Sequence, residues 1–491
     1  TTCGHELTHR LDAIRRATTV ALNARLIPML CELIDAVERT MCERGIRAPL
    51  MVVKGDGSLM SAEMARERPI ETLLSGPAAS VVGAQHLARG DDMVIVDMGG
   101  TTTDIAVVDD GKPELSAQGA SVGRWRTMVE AIDIHTVGLG GNSQVWFGHE
   151  REIHVGPKRI VPLCMLASLH PHVRDLLSEQ LDGKPQPTDG QFLALQRRRW
   201  GQDGDHPPFE EELMATLRKG PCPLRELHRI LRYPSLYARY LEGLERQGVL
   251  VRAGLTPTDA AHVLGKYQEW DAKAAGLGAQ LMARRTGGEA EDLCRRIVDH
   301  TCEQVSSLVV AKLLSDEGRN GHCDGLDDTL IDRALRPQPE SRLDLELTLL
   351  PTLVAVGAPV ATYFPSVSQM LHASLRIPEH TEVASAIGAV AGSVVSRVHI
   401  LIVPHEDEGI CRVHLPDLVH DLLGLDEAIE YATERGRRIA REYAERAGAR
   451  EIRLSVERHD MRAPVGTGFG DQLYLQTVLE ITAVGRPRLA R

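Results

Sequence analysis

The 491-residue chain is poor in aromatic residues, at 3%, so its cores must be assembled from Leu, Val, Ile and Ala. It lacks any C-x-x-C pair: nine cysteines stand scattered at positions 3, 31, 42, 164, 222, 294, 302, 323 and 411. An odd number at irregular spacing argues against a zinc ribbon or a stapled secreted scaffold and fits a reducing cytoplasm. A basic excess is missing too. With 56 Lys and Arg against 68 Asp and Glu, the formal net charge is -12. That argues against a generalised nucleic-acid or anionic-membrane surface while leaving room for a local basic patch. No secretory n-region and h-region opens the sequence. The one long segment without acidic or basic charge, Leu347 to Leu375, is broken by Pro351, Gly357, Pro359 and Pro365 into strand, turn and helix start. It therefore does not read as a membrane span. What remains is a soluble globular chain of about two to four domains.

What is present centres on Val94–Val108, VIVDMGGTTTDIAVV. An apolar run, a Gly-Gly pair and a returning β-branched run read as a hairpin with a chemically loaded tip. Gly99 and Gly100 let backbone N–H groups approach an anion, and Thr101, Thr102 and Thr103 add hydroxyl donors, so the tip suits phosphate. Asp97 and Asp104 bracket the turn, where two carboxylates can hold Mg²⁺ or its waters. The loop has no Lys, which excludes a Walker P-loop, and its spacing is not the dinucleotide fingerprint. A purely structural turn is the alternative, but it gains nothing from three threonines between two aspartates.

Around this hairpin, Ala17–Arg44 has apolar residues at helical period, with Pro28 expected to kink or split the helix and Gly45 to close it. Leu50–Val53 reads as a strand ending in a Lys54–Gly57 turn, and a second helix starts at Ser75 with Ser as cap and Pro77 in the first turn. Beyond the hairpin, Asp133 and His135 alternate with Ile132 and Ile134, so on a strand they would share one face. Such a pair supplies two metal ligands, a carboxylate-oriented imidazole for acid–base work, or a hydrogen bond that pins a strand end. Gly138, Gly140 and Gly141 follow, implying close approach by a ligand or another backbone.

The stretches LLSGPAASVVGA (73–84), DMGGTTTDIAVV (97–108), DIHTVGLGGNS (133–143) and EVASAIGAVAG (382–392) together resemble the ATP-dependent hydantoinase and oxoprolinase family. The resemblance covers roughly 1–175 and 335–491. It implies a nucleotide domain of the actin-like ATPase (ribonuclease H-like) type, with Asp97, Gly99, Gly100, Thr101 and Thr102 facing phosphates. LVAVGAPVATYFP (353–365) resembles the adenosine strand and loop, placing Gly357 and Ala358 at the nucleoside; Ala358 stands where a second glycine is usual. Ser75–Gly83 and Ala384–Gly388 resemble the two helices between lobes, where small side chains let helices approach; Ser80 replaces a more typical glycine. ATP and Mg²⁺ are the implied cofactors, and a second subunit of the hydantoinase B type is the implied partner.

Between these regions, Gln180–Phe209 is polar and reads as a linker or mobile excursion. Pro223–Leu264 has a helix, turn, helix, strand order of winged-helix type with Arg225, Arg229, Arg232, Arg239, Arg246 and Arg252, so DNA binding is considered. The favoured reading is an inserted structural module whose arginines are solvated or face acidic neighbours. Asp292–Leu314 is a further amphipathic helix, Leu425–Ala447 a helix closed by Gly448, and Ile452–Ile481 a hairpin around a Pro464–Gly470 loop, with His459-Asp460 as a surface turn. The expected fold is thus α/β: the end of a first ATPase lobe (1–90), a second lobe (91–175 plus 337–400), an inserted mostly helical module (176–336) and a C-terminal α+β unit (401–491).

The resemblance implies ATP-driven phosphorylation of a cyclic amide oxygen, hydantoin or lactam, for ring opening. The catalytic residues would be Asp97, Asp104, Asp133 and His135, with Asp97 and Asp104, or Asp133 and His135, as metal ligands. Gly140 and Gly141 would border the nucleotide. The alternatives are an ATP-dependent carboxylase subunit and a non-catalytic ATP-binding regulator with a DNA-binding insert; a membrane or nucleic-acid partner is not expected. Actin-like proteins close on ATP with two phosphate hairpins, and this sequence has one glycine–threonine hairpin, so the expectation is a fragment or a lobe supplied by another subunit. Phosphoryl transfer needs charges positioned from both sides of the phosphates. The isolated chain is therefore expected to release phosphate from ATP at background rates, rising when a second hairpin is supplied; turnover typical of a competent enzyme from this chain alone would overturn the lobe assignment.

Overall fold

The computed structural model describes residues 2–8, 12–148, 151–196, 208–230, 234–319, 328–336, 345–405, 409–464 and 472–487. It is a mixed α/β chain with several sheets, divided into two compact units. One takes residues 1–91, 106–134 and 383–491; the other takes 92–105 and 135–382. These units have other boundaries than the four expected segments. Residues 401–491 share a sheet and a core with the N-terminal segment, and 176–336 shares a core with the hairpin strand Met93–Met98.

In the unit of 92–105 and 135–382, the strands Leu375–Arg376, Thr352–Val356 and Met93–Met98 lie side by side in parallel, Leu353 against Val94 and Val356 against Asp97. Val94, Ile95, Val96 and Leu353–Val356 are fully buried, which is why both strands read as continuous apolar runs. Thr103–Asp109 begins in this unit, and His135–Val137 pairs antiparallel with its first three residues. The helix expected at 292–314 spans Ala290–Arg319 and sends Ile297, Cys302, Val305 and Val309 into the core that holds Val94, Val96 and Leu353. That shared core explains why the inserted region does not stand apart.

The polar stretch at 180–209 is not a linker where it is described. Gln180 is buried, and its side-chain oxygen accepts the Gly190 N–H at 2.7 Å. Phe192–Leu195 is a strand paired antiparallel with Leu250–Gly254, which brings a buried Phe192 and Leu193 into the core despite the polar sequence around them. Residues 197–207 lie outside the described residues. Helices Leu224–Ile230 and Pro234–Arg246 precede the Leu250–Gly254 strand in the expected order. Arg225 pairs with Asp189 at 3.5 Å and Arg252 with Glu245, so these two arginines face acidic neighbours. The side chains of Arg229 and Arg232 lie outside the described residues.

In the other unit, Met51–Val53, Leu59–Ser61, Val394–Pro404, Ile410–His414 and Val419–Leu423 form a sheet in that order, joined by the hairpin Ala449–Pro464/Gln472–Pro487. The expected loop of that hairpin falls largely at 465–471, outside the described residues. His459 and Asp460 are strand residues rather than a turn, and Asp460 accepts from Arg458 and Thr477. Leu425–Arg446 lays Ala428, Ala432, Gly436, Ala440 and Ala444 on the sheet; a Cβ on Gly436 would sit 2.4 Å from Ile481 Cδ1. The N-terminal helix runs unbroken from Ala13 to Glu43. Pro28 does not split it, because both Pro28 and Ala24, whose carbonyl loses its partner, lie on the exposed side. Ser75 is the first residue of its helix and not its cap; Leu74, at φ 62°, occupies the cap position without a side-chain bond. This helix packs on Ala384–Ala391 so closely that a Cβ on Gly83 would meet Ala384 O at 1.8 Å, and one on Gly388 would meet Ala79 O at 1.9 Å.

An ion network ties this unit together across the sequence. Asp56, 1% exposed, pairs with Lys54 at 3.5 Å and with Arg397 at 3.1 Å; Arg397 also reaches Glu130 at 3.0 Å, which His399 Nε2 meets at 3.0 Å. Burial alone would raise the Glu130 carboxyl, but the His399 hydrogen bond and the charges of Arg397, His399 and Lys54 bring it down to about 2 from 4.5. Asp56 is also held below its usual value, with Lys54, Arg397 and Ser58 overcoming its burial. A depressed folded-state carboxyl contributes stability that is complete above the unfolded value and is lost as pH falls through the folded one. The prediction is an acid-labile unit that loses about 2 kcal/mol from Glu130 between roughly pH 4.5 and 2, and a Glu130→Gln variant whose stability varies less over that window in pH-dependent denaturant melts.

Candidate functional site

Because Met93–Met98 and Thr352–Val356 run parallel, their C-terminal ends open at the same edge of the sheet, where parallel α/β sheets place ligands. At the first end, Gly99–Thr102 turn tightly, with the Gly99 N–H donating to Thr102 O at 3.0 Å. Among the described residues the N–H groups of Gly100 and Thr101 make no backbone hydrogen bond, and Thr101 is exposed. At the second end, Gly357 has φ +111°, and a Cβ there would stand 2.1 Å from Met98 O and 3.1 Å from Asp97 Oδ1. Only glycine fits.

The second glycine loop closes on the same tip. Gly141 N–H donates to Gly99 O at 3.1 Å and Asn142 N–H to Gly100 O at 2.9 Å. A Cβ on Gly140 would lie 2.6 Å from Gly99 O and 2.7 Å from Thr101 N. Of the two partners its glycines allowed, ligand or backbone, Gly140 meets backbone: that of the hairpin itself.

A cavity of about 260 Å³ opens beside these loops. Gly100, Thr101, Gly141 and Asn142 form one wall and Ala358, Pro359 and Thr362 another, with Arg159, Tyr267 and Trp270 completing it. Tyr267 and Trp270 meet edge-on with ring centroids 5.7 Å apart, and His262 stacks on Trp270 at 5.7 Å. His262 accepts the Trp270 N–H on Nε2 at 3.1 Å, so Nδ1 carries the proton it donates to Thr258 O at 2.8 Å. A polar rim and an aromatic wall thus face one space, the combination a phosphorylated heteroaromatic ligand requires.

The structure brings Gly99, Gly100, Thr101, Gly140, Gly141, Gly357 and Ala358 together, with Asp97 beside Gly357. Thr103 departs from expectation. It is fully buried, and its hydroxyl donates to Leu139 O at 2.8 Å, holding the second glycine loop instead of facing a ligand. Asp104, 9% exposed, accepts from Thr136 at 2.6 Å and Thr102 at 3.5 Å; burial raises its carboxyl despite these hydrogen bonds. The strand expected to carry both Asp133 and His135 begins only at His135, because Ile134 N–H turns back to Ile132 O at 3.0 Å. The alternation that would align the two side chains therefore does not apply. His135 is exposed, and among the described residues no three His, Cys, Asp or Glu side chains gather as a metal group.

Sequence reasoning missed Asn142, Arg159, Thr258, Tyr267 and Trp270. A signal for Thr258 was present: Thr256-Pro-Thr-Asp259 forms a capping box that starts the helix Pro257–Val263. Asp259 also accepts the N–H groups of Leu163 and Cys164, and Thr258 Oγ1 donates to Gly141 O at 2.8 Å.

A family model described as Hydantoinase/oxoprolinase matches residues 16–315, including most of the region that sequence reasoning left outside the resemblance. The caprolactamase subunit alpha of Pseudomonas jessenii is 29% identical over 158 residues, covering 32% of this chain and 23% of that protein. The 5-oxoprolinase of Saccharomyces cerevisiae is 24% identical over 144 residues, 28% of this chain and 11% of that one. Among solved structures, the ATP-dependent caprolactamase of Pseudomonas jessenii aligns with TM-score 0.56 and 15% identity, covering 99% of this chain and 60% of that one. A nucleotide-free acetone carboxylase aligns with TM-score 0.55 and 13% identity, covering 97% and 58%. The chain thus spans less than two thirds of these relatives, and at such identities the structural likeness speaks to fold. With more than half of its length under one family model, the chain belongs to the hydantoinase/oxoprolinase family.

Proposed function

We propose that this chain carries the nucleotide site of an ATP-dependent enzyme that opens a cyclic amide, and that its fold is of the actin-like ATPase class. The observation that carries the reading is the cavity where three glycine loops converge, with the N–H groups of Gly100 and Thr101 without backbone acceptors among the described residues at its polar wall. ATP fits the residues present: N–H and hydroxyl donors for phosphate at one end, and Tyr267 and Trp270 for a base. Mg²⁺ would be held by Asp97, whose Oδ1 lies beside Gly357 at the strand end, with Asp104 positioning the Thr102 hydroxyl it accepts from; when bound, it would neutralise charge on the transferring phosphoryl group. Gly100, Thr101 and Thr102 orient the phosphates, and the docked Gly141–Asn142 backbone keeps the tip from shifting. A resonance-stabilised amide is a poor electrophile, and phosphorylating its oxygen turns that oxygen into a leaving group.

The name of the caprolactamase relative, a subunit alpha, supports a partner subunit, proposed to be of the hydantoinase B type, and a cytoplasmic setting is the matching proposal. The fold likeness to acetone carboxylase favours a second reading, an ATP-dependent carboxylase subunit. Phosphate release measured with the partner present, against lactams, hydantoins, 5-oxoproline and ketones with bicarbonate, separates the two. Cyclic amides alone are expected to stimulate release; stimulation by ketones alone would establish the carboxylase, and none by any of them would overturn both. Gly100→Val, whose Cβ would meet Asn142 Nδ2 at 2.8 Å, is expected to weaken ATP binding at least tenfold while the fold persists by circular dichroism. His135→Ala is expected to lower substrate-dependent turnover at least tenfold with ATP affinity within twofold; equal losses, or none, would remove His135 from the substrate side.

A further inference from the structure

We propose that Arg159 makes the cavity at the glycine loops selective for a phosphate chain, an inference that rests on the nucleotide reading of that cavity. Cavity and residue belong to one unit, that of 92–105 and 135–382. Among the described residues, Arg159 is the one side chain in the cavity lining that carries a formal charge. It is exposed, and its guanidinium makes no ion pair or hydrogen bond with another described residue. The carboxylates around the cavity do not neutralise it. Asp97 Oδ1 stands beside Gly357, Asp104 accepts from Thr136, Asp259 accepts the N–H groups of Leu163 and Cys164, and Glu269 accepts from Tyr267. None of the four comes within ion-pair distance of Arg159.

The local backbone holds Arg159 at this wall. The strand Ile153–Arg159 pairs antiparallel with Ser143–Phe147, Val155 standing opposite Val145. Regular pairing would set Pro157 opposite Ser143; a bulge between Val155 and Arg159 sets Arg159 there instead. The bulge packs on the second glycine loop, where a Cβ on Gly156 would lie 2.8 Å from Gly138 O. Just beyond it, Ile160 N–H donates to Asn142 O at 3.0 Å, and Ser143 Oγ accepts the Gly140 N–H at 2.9 Å. Arg159 is thus fastened to the same backbone that docks on the 99–102 turn. Its neighbour Lys158 is taken up by Glu245. A guanidinium presents a planar fork that meets phosphate oxygens two at a time, and it stays charged at any working pH. With Gly100 and Thr101 in the same lining, a phosphate chain finds backbone donors and a cation together. A nucleoside without phosphates brings no charge for that cation to meet.

The test compares ATP with adenosine, each titrated into the full chain by calorimetry without Mg²⁺ and at low salt, where charge contacts are least screened. The unsubstituted chain is measured beside Arg159→Gln and Lys158→Gln, with the fold of each checked by circular dichroism. Arg159→Gln is expected to raise the Kd for ATP at least tenfold and to leave that for adenosine within twofold. Lys158→Gln removes the adjacent charge and should leave both within twofold, which separates a contact from a general field. If the unsubstituted chain binds ATP, the nucleotide reading stands, and three results overturn the role of Arg159: an ATP loss below tenfold in folded Arg159→Gln, an equal loss for adenosine, or an equal loss in Lys158→Gln. No ATP binding by the unsubstituted chain would overturn both.

Discussion

Three stretches of backbone meet at the tip of the 99–102 turn at distances that no side chain permits. Gly140 lies against Gly99 and Thr101, and Gly357 against Met98, each where an added Cβ would sit 2.1–2.7 Å from main-chain atoms. The remainder of that unit is arranged to keep these contacts. The parallel pairing of Thr352–Val356 with Met93–Met98 sets the height of Gly357 relative to the turn, and Thr103 and Thr258 tie the second glycine loop down from two sides. Phosphate recognition by backbone donors works only if the donors are held before the anion arrives, because reorganisation would consume the gain. In the proposed phosphate site the holding is done by hydrogen bonds and steric closeness, with the N–H groups of Gly100 and Thr101 making no backbone bond among the described residues.

How much of this was legible depended on the range of the interaction. The hairpin strands, the Gly-Gly turn and the parallel Thr352–Val356 strand could be read locally, since a strand buried on both faces leaves an uninterrupted apolar run. The close helix pair at Gly83 and Gly388 was legible through the family resemblance of 75–83 and 384–388, whose small side chains let the helices approach. Thr103 was misread because a hydroxyl in a threonine run has no sequence mark for the face it takes; strand alternation turned it inward to Leu139. The shared strand face expected of Asp133 and His135 was not formed, because one reversed hydrogen bond, Ile134 to Ile132, delayed the strand to His135. Tyr267 and Trp270 lie far from the glycine motifs in sequence; the helix Pro257–Val263 brings them to the cavity, Thr258 bonding Gly141 and His262 meeting both rings.

The other unit uses charge where the first uses closeness. Asp56, Glu130 and Arg397 come from three separate segments, and none of the ion pairs among them follows from spacing. Buried ion pairs add little net stability compared with apolar packing, but losing one partner strands the other. The network therefore acts more as a constraint on which segments may meet than as a source of free energy. Its strict pairing is a reason for the Lys54–Gly57 turn to be held in one place.

Among the described residues, the strand Leu59–Ser61 has Met51–Val53 on one side and on the other the pairing of Leu59 with Val394, contributed by a segment more than three hundred residues later. At the ribosome, with elongation at about 5–20 residues per second, that edge waits for tens of seconds before its neighbour exists. The chain crosses between the units after Asp91, Ile105, Ile134 and Glu382, so a whole unit must be synthesised before the sheet begun at Met51 can close. The nascent chain therefore carries an open, apolar sheet edge until Val394 emerges, and that edge needs shielding from other chains over the whole interval.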